Sequence, residues 1–328
     1  MSYKQFFSVL LALLVSVGVT PTLAGGDPAV TVEIVPADPA AGFNFPYVLR
    51  TPADGRVPER PYLIVESNNT GADDDFEHHL AGAESFALGQ GIGPTVAREL
   101  AMPLLVPVFP RSRQEWWIYT HALDRDSMML GVEPRHRLDL QLLNMVGDAR
   151  RRLKERDVVV RERFVLVGFS ASGTFSNRFA FLHPDKLAAV VSGAVNSFPM
   201  LPVASVDGER FPYPLGVADL EQITGRGFQM EAWRKLPQLI FMGAIDDNDA
   251  VKFDDAYSEE ERRAIFAFVG EEMSARWQAA QLIYSRAQPN VTFTTYGGVG
   301  HWTDGRIMRD ILNFTSTMMR QQAAGDEQ

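Results

Sequence analysis

The stretch Arg163-Phe-Val-Leu-Val-Gly-Phe-Ser-Ala-Ser-Gly-Thr-Phe175 changes its period halfway along. Phe164 to Val167 is a continuous apolar run closed by Gly168, which reads as a buried strand. Beyond it Phe175, Phe179 and Leu182 recur at helical spacing. The chain therefore passes from strand through a sharp turn into a helix, with Ser170 on the turn. Small neighbours allow such a bend and lift the serine hydroxyl clear of the sheet. The helix that starts there points its first amides at the same place, where they can hold an oxyanion.

The segment Gly168-Phe-Ser170-Ala-Ser172-Gly173 resembles the nucleophile turn of the α/β-hydrolase family, and within it that of secreted esterases and polyester depolymerases. Ser172 stands where the last glycine of the pattern is usual, with Gly173 one place later, so Ser172 is a rival nucleophile. Ser170 is preferred because it follows the strand-ending glycine by two residues. The resemblance implies an α/β fold: a central, mostly parallel sheet with helices on both faces. It also implies an acid and a histidine further along the chain.

Working outward, Met1 to Ala24 carries Lys4, an apolar run from Phe6 to Val19, Pro21 and small residues around Ala24. This reads as a signal peptide, residues 1–24, with an exported hydrolase domain over 25–328, secreted or periplasmic and without stable membrane insertion. Cysteine is absent, which excludes thiol catalysis and thiolate metal ligation. A net charge of −10 argues against nucleic acid as a partner. The basic cluster Arg150-Arg-Arg-Leu-Lys154 reads as the end of an amphipathic helix over residues 134–156, complementing its dipole.

Upstream of that helix, Val30 to Val35, Phe45 to Arg50, Tyr62 to Val65 and Leu104 to Phe109 read as strands. A turn is expected at Pro52-Ala-Asp-Gly55. In the resembled family the loop after the third strand supplies one oxyanion N–H, which places Asn69 there beside the Ala171 N–H. Ser67-Asn68 replaces the usual His-Gly. Asp73-Asp-Asp-Phe-Glu-His-His79 has no metal-ligand spacing and reads as a loop leading into a helix, so no metal is assigned. Trp116, Trp117 and Tyr119 follow the fourth strand at the sheet edge where ligands bind, and are candidates for a pocket wall or for loop packing. His121 and His136 carry no motif.

Downstream of the turn, His183-Pro-Asp185 ends the helix, and His183 lies too near that end to serve as a base. Residues 196–236 lose all regular alternation and read either as a cap over the site or as a surface loop packed on the core. Gln238 to Met242 resumes as a strand and runs into Gly243-Ala-Ile-Asp246-Asp-Asn-Asp249. Set against the family's order, Asp246 matches the acid best, with Asp247 and Asp249 as rivals. A break in the following helical stretch is expected near Gly270. After the last strand, Val291 to Tyr296, Gly297-Gly-Val-Gly brings His301, the implied base, with Trp302 beside it as a pocket wall.

Ser170, Asp246 and His301 arrive in the chain order that this fold demands. The resemblance implies a cofactor-free serine hydrolase acting on a small or polymeric ester through an acyl-enzyme. A peptidase or amidase on the same residues, and a non-catalytic binding protein on a hydrolase scaffold, are the alternatives. Oligomeric state is not encoded in these motifs.

Overall fold

The computed structural model describes residues 30–53 and 56–326, with side chains up to residue 322. The expected signal peptide and the tip of the turn after Pro52 lie outside the described residues. Among the described residues ten strands form: β1 (Val30–Val35), β2 (Tyr47–Pro52), β3 (Ile64–Glu66), β4 (Leu104–Pro107), β5 (Phe164–Phe169), β6 (Leu187–Gly193), β7 (Ser205–Val206), β8 (Glu209–Arg210), β9 (Gln238–Gly243) and β10 (Val291–Tyr296). Eight of them make one sheet in the order β1-β2-β4-β3-β5-β6-β9-β10, and β7 pairs with β8 alone. Every neighbouring pair from β4 to β10 is parallel, while β1 and β2 run antiparallel at one edge. The expected α/β-hydrolase sheet, mostly parallel, is what forms.

Why β5 is central follows from its residues. Phe164 to Gly168 are all buried, because helices cover both faces of a parallel sheet. Alternation then sorts the side chains. Phe164 and Leu166 pack on one face with Leu142, Met145, Phe175 and Phe179, and Val165 and Val167 pack on the other with Ala83, Val96, Ala97, Ile307 and Ile311. The first group comes from helices α4 (Leu138–Lys154) and α5 (Ala171–Leu182). The second comes from α1 (Phe76–Leu88), α2 (Ile92–Glu99) and α10 (Gly305–Asp326). Phe175 and Phe179 are fully buried, each contributing roughly 2–3 kcal/mol of apolar burial. The outer strands β1 and β10 are partly exposed instead.

Helix α4 starts at Leu138, later than the sequence pattern suggests, and Arg137 before it has φ 47°. Its basic end is more than a dipole complement. Arg152 reaches both Asp148 (2.7 Å) and Glu33 of β1 (2.9 Å), which ties the helix to the edge strand. His78 and His79 fall inside α1, which begins at Phe76.

The excursion after β6 holds the β7–β8 hairpin and two short helices, α6 (Leu220–Thr224) and α7 (Met230–Lys235), after a short α3 (Arg125–Met129) earlier in the chain. Met200, Tyr213 and Trp233 join the main core, while Phe198, Leu201, Phe211 and Leu215 pack with Val251, Tyr257 and Ile265. Tyr257 precedes and Ile265 lies within α8 (Glu259–Phe268), where a Ser258–Glu261 capping box fixes the first turn. Helix α9 (Met273–Ala287) follows the expected break, with Gly270 at φ +144°. Among the described residues no helix is long and apolar enough to cross a membrane.

Candidate active site

Because β3, β5, β6, β9 and β10 are parallel, their carboxyl ends open on one edge of the sheet, and the site is assembled there. Ser170 follows β5 immediately and has φ 61° and ψ −126°, a conformation held at a cost of order 1–3 kcal/mol. Hydrogen bonds on both sides hold it. The Ser170 N–H donates to the Gly193 carbonyl at the end of β6 (3.0 Å), and the Ser170 carbonyl accepts from the Thr174 N–H (2.9 Å). The Thr174 hydroxyl adds a bond to that carbonyl (3.2 Å) and another to Asn196 Oδ1 (2.7 Å). Ala171 is the first residue of α5, so its N–H has no acceptor within the helix.

The departure at Ser172 has a structural reason. The Phe169 N–H donates to Ser172 Oγ (2.9 Å), and that hydroxyl lies 2.9 Å from the Phe169 carbonyl and 3.4 Å from Glu66 Oε1. Ser172 is buried and bound into the turn, while Ser170 is half-exposed. The close approach that the family's last glycine usually makes falls to Gly173, where a Cβ would stand 2.2 Å from the Gly193 carbonyl oxygen.

Glu66, the residue after the expected strand Tyr62 to Val65, is the buried last residue of β3. Its Oε2 accepts from the Gly93 N–H in the first turn of α2 (2.5 Å). Burial pushes its carboxyl up to about 7, against the lowering effect of the bonds from Gly93 and Ser172. Only the packing of α2 reveals this residue, because Gly93 is remote in sequence.

Histidine and acid come together across two loops. His301 Nδ1 lies 3.0 and 3.1 Å from the two carboxylate oxygens of Asp246. Asp246 is buried and Asp247 is exposed. Asp249 points elsewhere, into an ion pair with the fully buried Arg276 (2.5 Å). Of the three aspartates, Asp246 is thus the one facing the imidazole. The His301 ring packs on Phe169, the residue before Ser170, with centroids 4.9 Å apart. His301 Nε2 lies 2.7 Å from Nδ2 of Asn248, a neighbour not anticipated from the sequence.

The loop after β3 divides its two asparagines. Asn68 is buried, its amide donating to the Phe109 carbonyl (2.8 Å) and accepting from the Phe109 N–H (3.0 Å), which locks this loop to the end of β4. Asn69 is exposed. Glu66 and Val167 are register partners, so Asn69 and Ser170 each leave the sheet three residues beyond a matched pair. His121 is buried with Nε2 2.9 Å from the Phe109 carbonyl, and burial pushes its imidazole down to about 3, so it stays neutral. His79 packs beside it and ties Thr70 (2.6 Å) to Asp73 (3.0 Å). His183 is buried against Asp139 (2.7 Å) at the far end of α5.

Trp116, Trp117 and Trp302 are all half-exposed, the first two in edge contact at 5.8 Å. Tyr119 carries the Arg111 guanidinium 3.5 Å above its ring. Arg111 in turn pairs with Asp255 (2.8 Å).

Neither a family model nor a curated protein matches the sequence. Solved structures do match in shape. Poly(aspartic acid) hydrolase-1 from Sphingomonas sp. KT-1 is similar at TM-score 0.53 and 16% identity, covering 90% of this chain and 98% of its own. The poly(3-hydroxybutyrate) depolymerase LpqC from Bordetella parapertussis is similar at TM-score 0.53 and 18% identity, covering 87% of this chain and 94% of its own. Sheet order, the strained serine at the end of β5 and these likenesses agree: the chain has the α/β-hydrolase fold.

Proposed function

We propose that the protein is an exported serine hydrolase that cleaves carboxylic esters, small or polymeric, through an acyl-enzyme. The observation that carries this reading is that Ser170, on a strained strand-to-helix turn, shares one sheet edge with a histidine already paired to a buried aspartate.

In this mechanism Asp246 accepts from the His301 Nδ1–H and so fixes the tautomer with a lone pair on Nε2. That nitrogen takes the Ser170 proton as Oγ attacks the ester carbonyl. The Ala171 N–H and a donor at Asn69 receive the oxyanion. Collapse expels the alcohol, protonated by the His301 imidazolium, and leaves the serine acylated. Water then attacks the acyl-enzyme, giving its proton to His301, and the acid leaves with Ser170 restored. Asp246 offsets the charge on the imidazolium without taking its proton. None of these steps calls on a cofactor.

Turnover of p-nitrophenyl esters from acetate to longer acyl chains tests the reading. The wild type is expected to hydrolyse at least the short esters, and Ser170→Ala to lose about 10⁴-fold or more in kcat. An unchanged rate in Ser170→Ala, or no ester turnover by the wild type, would overturn it. Amide substrates run in parallel separate an esterase from a peptidase on the same residues.

A further inference from the structure

The nitrogen that must take the serine proton is occupied. His301 Nδ1 faces the Asp246 carboxylate, so the ring proton belongs on Nδ1 and the acceptor lone pair on Nε2. Asn248 Nδ2 lies 2.7 Å from that Nε2 and donates to it. An imidazole nitrogen has one in-plane lone pair, so a bond from Asn248 and a bond from the Ser170 hydroxyl exclude one another.

The contact is built into the acid loop. The Asn248 N–H donates to Asp246 Oδ1 (3.1 Å), which folds the chain back over the carboxylate and brings the amide side chain round to the far side of the imidazole. Asp246 and Asn248, two residues apart, therefore hold the ring at both nitrogens. Asn248 is exposed, so its side chain has solvent to turn into.

We propose that Asn248 is a latch on the base: it caps His301 Nε2 in the resting protein, keeps the ring aligned between turnovers, and swings away when Ser170 is engaged by substrate. This rests on the reading of Ser170 and His301 as nucleophile and base. The latch makes Asn248 a positioning residue whose removal frees the base, in contrast to a supporting residue whose removal only weakens it.

The test follows Ser170 modification by a small fluorophosphonate in the wild type, Asn248→Ala and Asn248→Asp, each as the full chain. Both variants retain the backbone bond to Asp246. Alanine leaves Nε2 uncapped, and the modification rate is expected to rise about three- to ten-fold, the effect of releasing one ordinary hydrogen bond. Aspartate offers an acceptor where a donor stood and holds the imidazole as its cation, so the rate is expected to fall below wild type. A merely structural role would not move the two variants in opposite directions. The ¹⁵N resonance of Nε2 supplies a readout independent of reactivity, moving in Asn248→Ala toward that of an unbonded lone pair. An alanine variant no faster than wild type, with the Nε2 resonance unmoved, would overturn the latch alone. A wild type that is never modified at Ser170 would overturn the function beneath it, and the latch with it.

Discussion

Gly243 at the end of β9 lies against Val299 in the loop that carries His301: a Cβ on Gly243 would stand 2.3 Å from the Val299 carbonyl oxygen and 2.5 Å from that of Gly300. The same loop accepts from the Ile245 N–H through the Val299 carbonyl (3.0 Å), and the Ala244 N–H donates to Tyr296 (2.9 Å). Acid loop and histidine loop are thus joined along their backbones, and the Asp246–His301 distance is set by that seam.

Gly243→Ala should open the seam. Neither carbonyl is a flexible side chain, so backbone must shift, at a cost of about 1–3 kcal/mol. A displacement of about an ångström at His301 is expected to lower kcat roughly 10²-fold. Ester turnover and thermal unfolding on the same sample check this, and an alanine variant with wild-type kcat would contradict it.

Asp246→Asn and Asp249→Asn are expected to fail in different ways. The first leaves a folded protein whose imidazole has lost its fixed tautomer, with kcat lower by about 10²- to 10⁴-fold. The second leaves Arg276 buried beside a neutral amide, which should cost about 3–5 kcal/mol of stability. Urea unfolding alongside kinetics separates them. An Asp249→Asn protein as stable as wild type would contradict the assignment of that aspartate to the ion pair.

Glu66 makes stability depend on pH in an unusual direction for a carboxylate. Its folded-state value is raised to about 7, so the folded chain holds a proton that the unfolded chain has already released. The stability it supports is complete below the ordinary glutamate range and is lost as pH rises to about 7. The loss is roughly 3 kcal/mol, since each tenfold difference in proton affinity between the folded and unfolded chain is worth about 1.4 kcal/mol. Glu66→Gln keeps an acceptor for the Gly93 N–H without the charge. Between pH 5 and 8 the wild type should lose unfolding free energy relative to this variant. Parallel curves for the two proteins would contradict a buried, titrating Glu66.

Much of the candidate site follows from local chemistry. The switch of period at Gly168 and the glycines before His301 mark a strand–turn–helix and a loosened loop without reference to distant residues. The aspartates after β9 were not separable that way. Which of them faces His301 and which faces Arg276 depends on partners 55 and 27 residues off. Glu66 follows an apolar run, where a carboxylate normally meets water; the first turn of α2 covers it instead. Asn248 was invisible for the opposite reason, standing in a polar loop where any side chain would pass unremarked. The tryptophans show the limit of composition: Trp233 and Trp277 are core, while Trp116, Trp117 and Trp302 are half-exposed, and nothing local distinguishes the two groups.

Ser172→Ala should spare chemistry and weaken the fold. Its hydroxyl bonds the Phe169 backbone and approaches Glu66, so removing it leaves the Phe169 N–H without that acceptor, at a cost of about 1–3 kcal/mol. Ester turnover at a temperature where the variant is folded is expected to stay within a few-fold of wild type. A loss comparable to that of Ser170→Ala would contradict the choice between the two serines.

Mapping the covalent adduct decides most about this site. The wild-type chain would be treated with a fluorophosphonate, digested, and the modified peptide sequenced by mass spectrometry, beside Ser170→Ala and Ser172→Ala. A single adduct on Ser170, lost in the first variant and retained in the second, is the predicted result. An adduct on Ser172, or none on a folded protein, would contradict the assignment of Ser170 as the nucleophile.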